Sequence, residues 1–385
     1  MPELTCRTAG ESHGPALTVL IEGLPAGVAV DRVLIDAELR RRQGGYGRGA
    51  RMKLEQDTAR VLAGVRRGRT TGAPVVLQIT NRDARLDTAP EVHRPRPGHA
   101  DFAGALKWLT TDCRETLERA SARETAARVA AGALAKCLLR EFGVVAAGFV
   151  LEIGPIRATV PQTMPPDQLA AARDANEVYT PDATAVDLMT EAIRRAKVAK
   201  DTIGGIVEVR VFGLPPGLGT CAAWQDKLDG RLMQAVGSIQ AVKGVEIGLG
   251  FEAARRPGSE VHDALHFDPA QRQTASFGFV RPTNRAGGLE GGMTNGMPII
   301  VRAAMKPIAT LLQGMDSVNL QTLQPERSDY ERSDVCAVPA ASVVAENVVA
   351  FEIARAWLAK FGGDTVREVR AAFDFYCASA RGLKT

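Results

Sequence analysis

The chain is poor in several things, and each shortage closes off a class of function. Aromatic residues make up only 5% of its 385 residues, too few to interleave a basic stripe in the manner of single-strand nucleic-acid binders. The net charge is only +4, so no polyanion partner is indicated and nucleic acid is not expected. The six cysteines (6, 113, 137, 221, 336, 377) never come closer than the 24 positions between Cys113 and Cys137. With no C-x-x-C pair, a zinc site built on paired cysteines is not expected. No charged-then-apolar leader opens the sequence and no apolar run reaches membrane-spanning length, which points to a cytoplasmic protein with reduced thiols and no membrane partner. Nothing matches the Walker pattern G-x-x-x-x-G-K-[ST], and no low-complexity segment or clear internal repeat is present. Lysine is scarce too: only 10 of the 48 basic residues are lysines. A bias to arginine suits bidentate recognition of phosphate and carboxylate, and it equally suits G/C-rich codon usage.

What is present is a series of glycine- and arginine-rich loops between periodic segments. Arg94-Pro-Arg-Pro-Gly-His-Ala-Asp101 and Glu118-Arg-Ala-Ser-Ala-Arg-Glu-Thr125 gather a histidine, an aspartate and several arginines around one apolar run. Ser121-x-x-Glu124 has the form of a capping box ahead of a small-residue helix, Thr125 to Ala135. Arginines beside exposed helix N–H groups make an anion site; the competing reading is a core helix with solvated arginines. Near the start, Thr8 to Ala16 is a glycine-punctuated turn carrying His13, followed by an apolar strand from Leu17 to Ile21. A histidine there can carry a proton near neutral pH, though a lone loop histidine is more often plain surface.

Asp31 to Gln43 has helical spacing, with Val33, Leu34, Ala37 and Leu39 striping one side. It runs into the loop Arg40-Arg-Arg-Gln-Gly-Gly-Tyr-Gly-Arg-Gly-Ala-Arg51, whose arginines suit anionic ligands; RNA is a competing but weakly supported partner. Arg60–Val65, Pro74–Thr80 and Val144–Ile153 are expected strands, 155–181 a polar connection, and 182–200 a helix with Ala185, Leu188, Met189, Ala192, Ile193 and Ala196 on one face. Gly205 to Phe212 alternates with period two, a half-buried strand, and Leu228 to Ile239 is a helix. His262 and His266 lack the glutamate of a zincin and are incidental. Asn284 to Gly296 is the densest glycine loop; with Lys306 downstream it suits a phosphate or a flat heterocycle, or else is a long hairpin. Val338 to Phe361 is apolar all round, a buried helix, and a last amphipathic helix runs to about Ala378. Because the motifs lie on both sides of every polar connection, one domain over 1–385 is expected.

Glu11-Ser-His-Gly14, Arg96-Pro-Gly-His-Ala-Asp101, Ser121 to Gly132, Val242-Lys-Gly-Val-Glu-Ile-Gly248, Ala286-Gly-Gly-Leu-Glu-Gly-Gly292 and Arg332-Ser-Asp334 occur in one order. Together, from Thr8 to about Gly363, they resemble the chorismate synthase family. The resemblance implies an α/β fold in which a central helical layer lies between two antiparallel sheets (a β-α-β sandwich), assembled as a homotetramer. It implies loss of phosphate and a ring proton from 5-enolpyruvylshikimate 3-phosphate in a 1,4-anti elimination that gives chorismate, with reduced FMN and no net redox change. Arg42 and Arg48 would then hold substrate or nicotinamide nucleotide. Arg119, Ala120, Ser121, Gln240, Ala241, Gly291, Lys306, Pro307, Ile308, Ala309, Thr310 and Arg332 would lie on FMN. His13 would be the acid beside the departing phosphate, His99 the proton donor to the flavin ring, and Asp334 the group handling the flavin N5 proton. For Asp334 the alternative is an N-cap carboxylate. No Rossmann fingerprint is present, so an external flavin reductase is the expected electron source. The sequence departs from the family pattern at Ala120 (commonly serine), Ser333 (histidine), Gln240 (asparagine) and Leu249 (aspartate).

Overall fold

A computed structural model describes residues 3–49, 55–328 and 333–383. Its first sheet forms where apolar and polar residues alternate. Strand β2 (Ala16–Glu22) buries Leu17, Val19 and Ile21 on one face, as period-two spacing requires. It pairs antiparallel with β1 (Thr5–Ala9) and with β4 (Val75–Thr80), and β4 pairs in turn with β3 (Arg60–Ala63). A second antiparallel sheet is built from β5 (Val145–Ile153), β6 (Ile156–Arg157), β7 (Gly205–Phe212), β8 (Val242–Ile247) and β9 (Ile299–Met305), in the order β8-β9-β7-β5-β6.

Two helices carry most of the core. Helix α4 (Thr125–Arg140) buries residues on every side, and Gly132 lies against the backbone of Asn347, so that even a methyl group there would collide at 2.2 Å. That close approach lets α4 pack along α8 (Val338–Lys360), which is buried through nearly its whole length. Helix α4 also contacts β2 and β4 of the first sheet, and α8 contacts β5 and β7 of the second. One apolar cluster therefore runs from Leu4 to Val369 and includes side chains from both sheets. Among the described residues the remaining α-helices are α1 (Arg32–Gln43), α2 (Asp101–Trp108), α3 (Arg114–Arg119), α5 (Pro166–Asp174), α6 (Val186–Val198), α7 (Leu228–Gly237) and α9 (Val366–Gly382).

Several expectations needed correction. The buried face of α1 is Ile35, Glu38, Leu39 and Arg42, while Val33 is exposed. The helix meets an ionic cluster in the core, so charged residues took the inward face. Glu346 of α8 sits at the centre of that cluster, paired with Arg41 at 3.1 Å, Arg173 at 3.0 Å and Lys136, and accepting the Gly148 backbone N–H at 2.8 Å. Lys136 also meets Glu38 at 2.9 Å. Helix α6 turns inward only Met189 and Ile193, with Ala185 just ahead of it, and leaves Leu188 exposed. The connection 155–181 holds β6 and α5 rather than plain loop. The capping box does not form: Ser121 accepts from Arg123, and Glu124 turns away to Thr8, Arg128 and Gln240. Within 284–296, Leu289–Glu290 and Met293–Thr294 pair as a short hairpin about Gly291 and Gly292, both at positive φ.

Candidate active site

The loops converge on one cavity of about 570 Å³. It receives His13 from the turn after β1, Arg42 from the last turn of α1, and Arg48 from the loop that follows. The 96–100 turn contributes Arg96 and His99, and the α3–α4 junction contributes Ala120, Ser121 and Arg123. Gln240 and Ala241 reach it from the start of β8, Lys306, Ile308, Ala309 and Thr310 from the end of β9, and Asp334 from the approach to α8. Among the described residues, four arginines and a lysine thus face one volume, against the single carboxylate of Asp334.

Each histidine is backed by a buried carboxylate. The His13 Nδ1 lies 2.9 Å from Glu118, which also accepts the His13 backbone N–H at 2.8 Å. Asp83 stands 3.6 Å from the other ring nitrogen. The His99 Nδ1 contacts Asp101, and Arg96 donates to the same carboxylate at 2.8 Å and to Thr310 at 3.0 Å. Burial opposes ionisation of both carboxyls. Hydrogen bonds from His99 and Arg96 nonetheless hold Asp101 well below the usual range, and those from His13 and Arg114 lower Glu118. The arginines differ in their surroundings. Burial, with Arg123 and Arg48 near, pushes the pKa of Arg42 down to about 9, still charged at neutral pH; Asp57 works against the shift. Its Nη1 atom is buried with no hydrogen-bond partner, as are Arg123 Nη2 and Gln240 Oε1. Arg42 Nη1 still faces Asp57 at 3.6 Å and Arg123 Nη2 faces Glu55 at 3.8 Å, so both charges are compensated within the site. Lys306 is lowered by partial burial and by Lys243, and donates to the Gly98 carbonyl at 2.8 Å.

Of the described residues singled out in the sequence, three stand apart from the cavity. The Arg119 guanidinium is exposed and donates to the carbonyls of Gly10 and Thr8, both at 3.0 Å. Gly291 is exposed at its hairpin turn and Pro307 on its loop, and neither lines the cavity. Arg332 lies outside the described residues. Asp334 does not cap α8, whose N-cap is Ala337 without a side-chain bond; it pairs with Arg48 at 2.6 Å and accepts the Gly49 N–H at 2.6 Å. Sequence reasoning missed the roles of Glu118, Asp101, Asp83 and Arg123. Glu118, Asp101 and Arg123 lie inside quoted motifs, so proximity in sequence could have nominated them; nothing local marks Asp83.

An α/β chain with a cavity that combines an arginine cluster with two carboxylate-backed imidazoles is an enzyme for acid–base chemistry on an anionic substrate. The chorismate synthase family model matches residues 4–358. Curated chorismate synthases are similar along nearly their full length: that of Desulforudis audaxviator is 54% identical, covering 94% of each chain, and that of Geobacter sulfurreducens is 52% identical, covering 98% of this chain and 99% of its own. A crystal structure of chorismate synthase superposes with a TM-score of 0.81 at 40% identity, covering 100% of both chains. The chain belongs to the chorismate synthase family, the lyases that form chorismate in the shikimate pathway.

Proposed function

We propose that the cavity binds 5-enolpyruvylshikimate 3-phosphate over reduced FMN and carries out the 1,4-anti elimination of phosphate. The observation that carries this reading is the meeting of Arg42, Arg48, Arg96, Arg123 and Lys306 with His13 and His99 in one volume. The substrate brings a phosphate and two carboxylates and FMN a further phosphate, and charge-assisted bonds from arginine forks match all of them. The residues present also fit a flat heterocycle. Ala120, Ala337, Ala340 and Ala341 are small apolar residues in its lining, and Gln240, also in the lining, offers a buried oxygen with no hydrogen-bond partner. Gln240, Ala241, Ser121 and the 306–310 run would hold the flavin.

When bound, reduced flavin supplies transient electron density that helps the carbon–oxygen bond break. The chain's own groups do the rest. Arg42 and Arg48 hold the substrate's anionic groups. His13 gives its proton to the departing phosphate. His99, fixed by Asp101 and Arg96, holds a proton at the flavin side, and Asp334 accepts the proton that must be cleared there in each cycle. The same reading takes residues 1–385 as one domain with α4 and α8 as the layer between two sheets, working in the cytoplasm as a homotetramer and supplied by an external flavin reductase. The test is an anaerobic assay with the phosphorylated substrate, following chorismate absorbance. Turnover with reduced FMN and none with oxidised FMN is expected; equal turnover with both would overturn the reading.

A further inference from the structure

Glu118 has no part in the scheme so far, yet it is one of the most enclosed acids in the molecule, its side chain fully shielded from solvent. Both its oxygens face only donors. Oε2 accepts the His13 backbone N–H at 2.8 Å and lies 2.9 Å from Nδ1; Oε1 lies 3.0 Å from Nδ1 and accepts from Arg114 at 3.3 Å. A purely structural tie between α3 and the His13 turn does not need this carboxylate, because the Ser12 N–H already bonds the Glu118 backbone carbonyl at 3.1 Å. The acid is spent on the ring.

We infer that Glu118 is the positioning residue for His13. It fixes the imidazole with its Nδ1 proton turned inward, so that Nε2 is the nitrogen that meets substrate. This rests on the reading that His13 is the acid at the departing phosphate. An ionised carboxylate is acceptor-only and a neutral imidazole has one N–H, so Nδ1 carries that proton in both charge states. In the step itself the Nε2 proton of the imidazolium passes to the leaving phosphate oxygen as the carbon–oxygen bond breaks. His13 is left as the neutral Nδ1–H tautomer, and Glu118 stays ionised throughout. Asp83 stands 3.6 Å from Nε2, and the ring takes its next proton from solvent. Glutamine at 118 cannot substitute. One of its two positions must present an N–H, either to the His13 donors or to Arg114.

The tautomer can be read without any variant. The chain has five histidines, and ¹⁵N spectra of histidine-labelled enzyme, assigned with His13→Gln, should show neutral His13 protonated at Nδ1. A ring protonated at Nε2 would overturn the inference. In kinetics, Glu118→Gln should lower kcat by roughly tenfold to 10²-fold, a share of the range typical of a general acid. KM and flavin affinity, followed by fluorescence, should hold. The double variant with His13→Ala should be no slower than His13→Ala alone, because the two residues act as a unit. If His13→Ala is impaired while Glu118→Gln keeps wild-type kcat, the positioning role is wrong and the acid assignment stands. If His13→Ala itself turns over normally, the acid assignment is what fails.

Discussion

Arg48 and Asp334 are 286 positions apart in the chain, and their side chains meet at 2.6 Å at the edge of the cavity. Asp334 also accepts the Gly49 N–H. One carboxylate therefore holds the glycine-arginine loop after α1 to the segment that leads into α8. Gly47 sits in this junction at positive φ, with Cys336 within 3.0 Å of where a side chain would start, so no larger residue could keep the loop this close.

Asp334→Asn tests what that carboxylate does. Asparagine can still accept from Gly49, which offsets part of the loss of an ion pair that is largely buried, its side chains 11% and 18% exposed. Melting temperature should change by only a few degrees. Turnover should fall at least roughly tenfold, a floor for losing a positioned base. Both are measured on one preparation by thermal unfolding and steady-state assay, and a stable, fully active variant would leave Asp334 as a loop clasp alone.

Arg48→Lys keeps the charge and loses the fork. Substrate KM should rise while the fold and flavin binding persist, and Arg48→Ala should raise KM further. Unchanged KM in the alanine variant would move the substrate's anion site to Arg42 and Arg123.

His99→Ala removes an imidazole carried on a different loop from that of His13. Turnover should drop by roughly 10²- to 10⁴-fold, and flavin should still quench on binding. Loss of flavin binding instead would give His99 a holding role.

Stability should respond to Asp101 in a pH-dependent way. Burial opposes its charge, but His99 and Arg96 keep its folded pKa below the ordinary value near about 3.9. A depressed carboxylate contributes stability above the unfolded pKa and loses it as pH falls through the folded one. Asp101→Asn should therefore melt lower than wild type at pH 7, and the gap should narrow as pH drops below about 4. A gap that is constant from pH 7 to pH 3 would count against the pairing.

Glu346→Gln should be far more damaging than any cavity variant. It leaves Lys136, Arg41 and Arg173 buried around a neutral group, a change that costs about 3–5 kcal/mol when one side of a buried pair is lost. Chemical denaturation would measure it; a loss below about 1 kcal/mol would mean that water reaches the cluster.

The sequence was legible wherever the signal was local. The strand β7, the all-apolar α8 and the order of the glycine and arginine loops could be read directly, and those loops converge except for 284–296, which stays off the cavity. The alternation of β7 did not make it half-buried, because Glu208 and Arg210 pair at 2.7 Å and are buried as well. The sequence was illegible where partners are distant. Nothing near His13 announces Glu118, 105 positions away, and nothing near Asp334 announces Arg48. The Ser121–Glu124 spacing mimicked a cap because the pattern is short, whereas Glu124 found stronger partners in Arg128 and Thr8. The inward face of α1 was misjudged for a related reason: hydrophobic spacing assumes an oily neighbour, and Glu38 and Arg42 have an ionic one.

The cluster around Glu346 has a consequence for the order of folding. It joins Arg41, Lys136, Gly148 and Arg173 to a residue 305 positions beyond the first of them. Such long-range closures come at high entropic cost and so are slow. During synthesis, α1, α4 and the strand at Gly148 emerge from the ribosome well before α8 and must carry their charges without the counter-charge they are built for. The cavity cannot take its final form until almost the whole chain has been made, so fragments ending before residue 338 should emerge as chaperone clients rather than as partial enzymes.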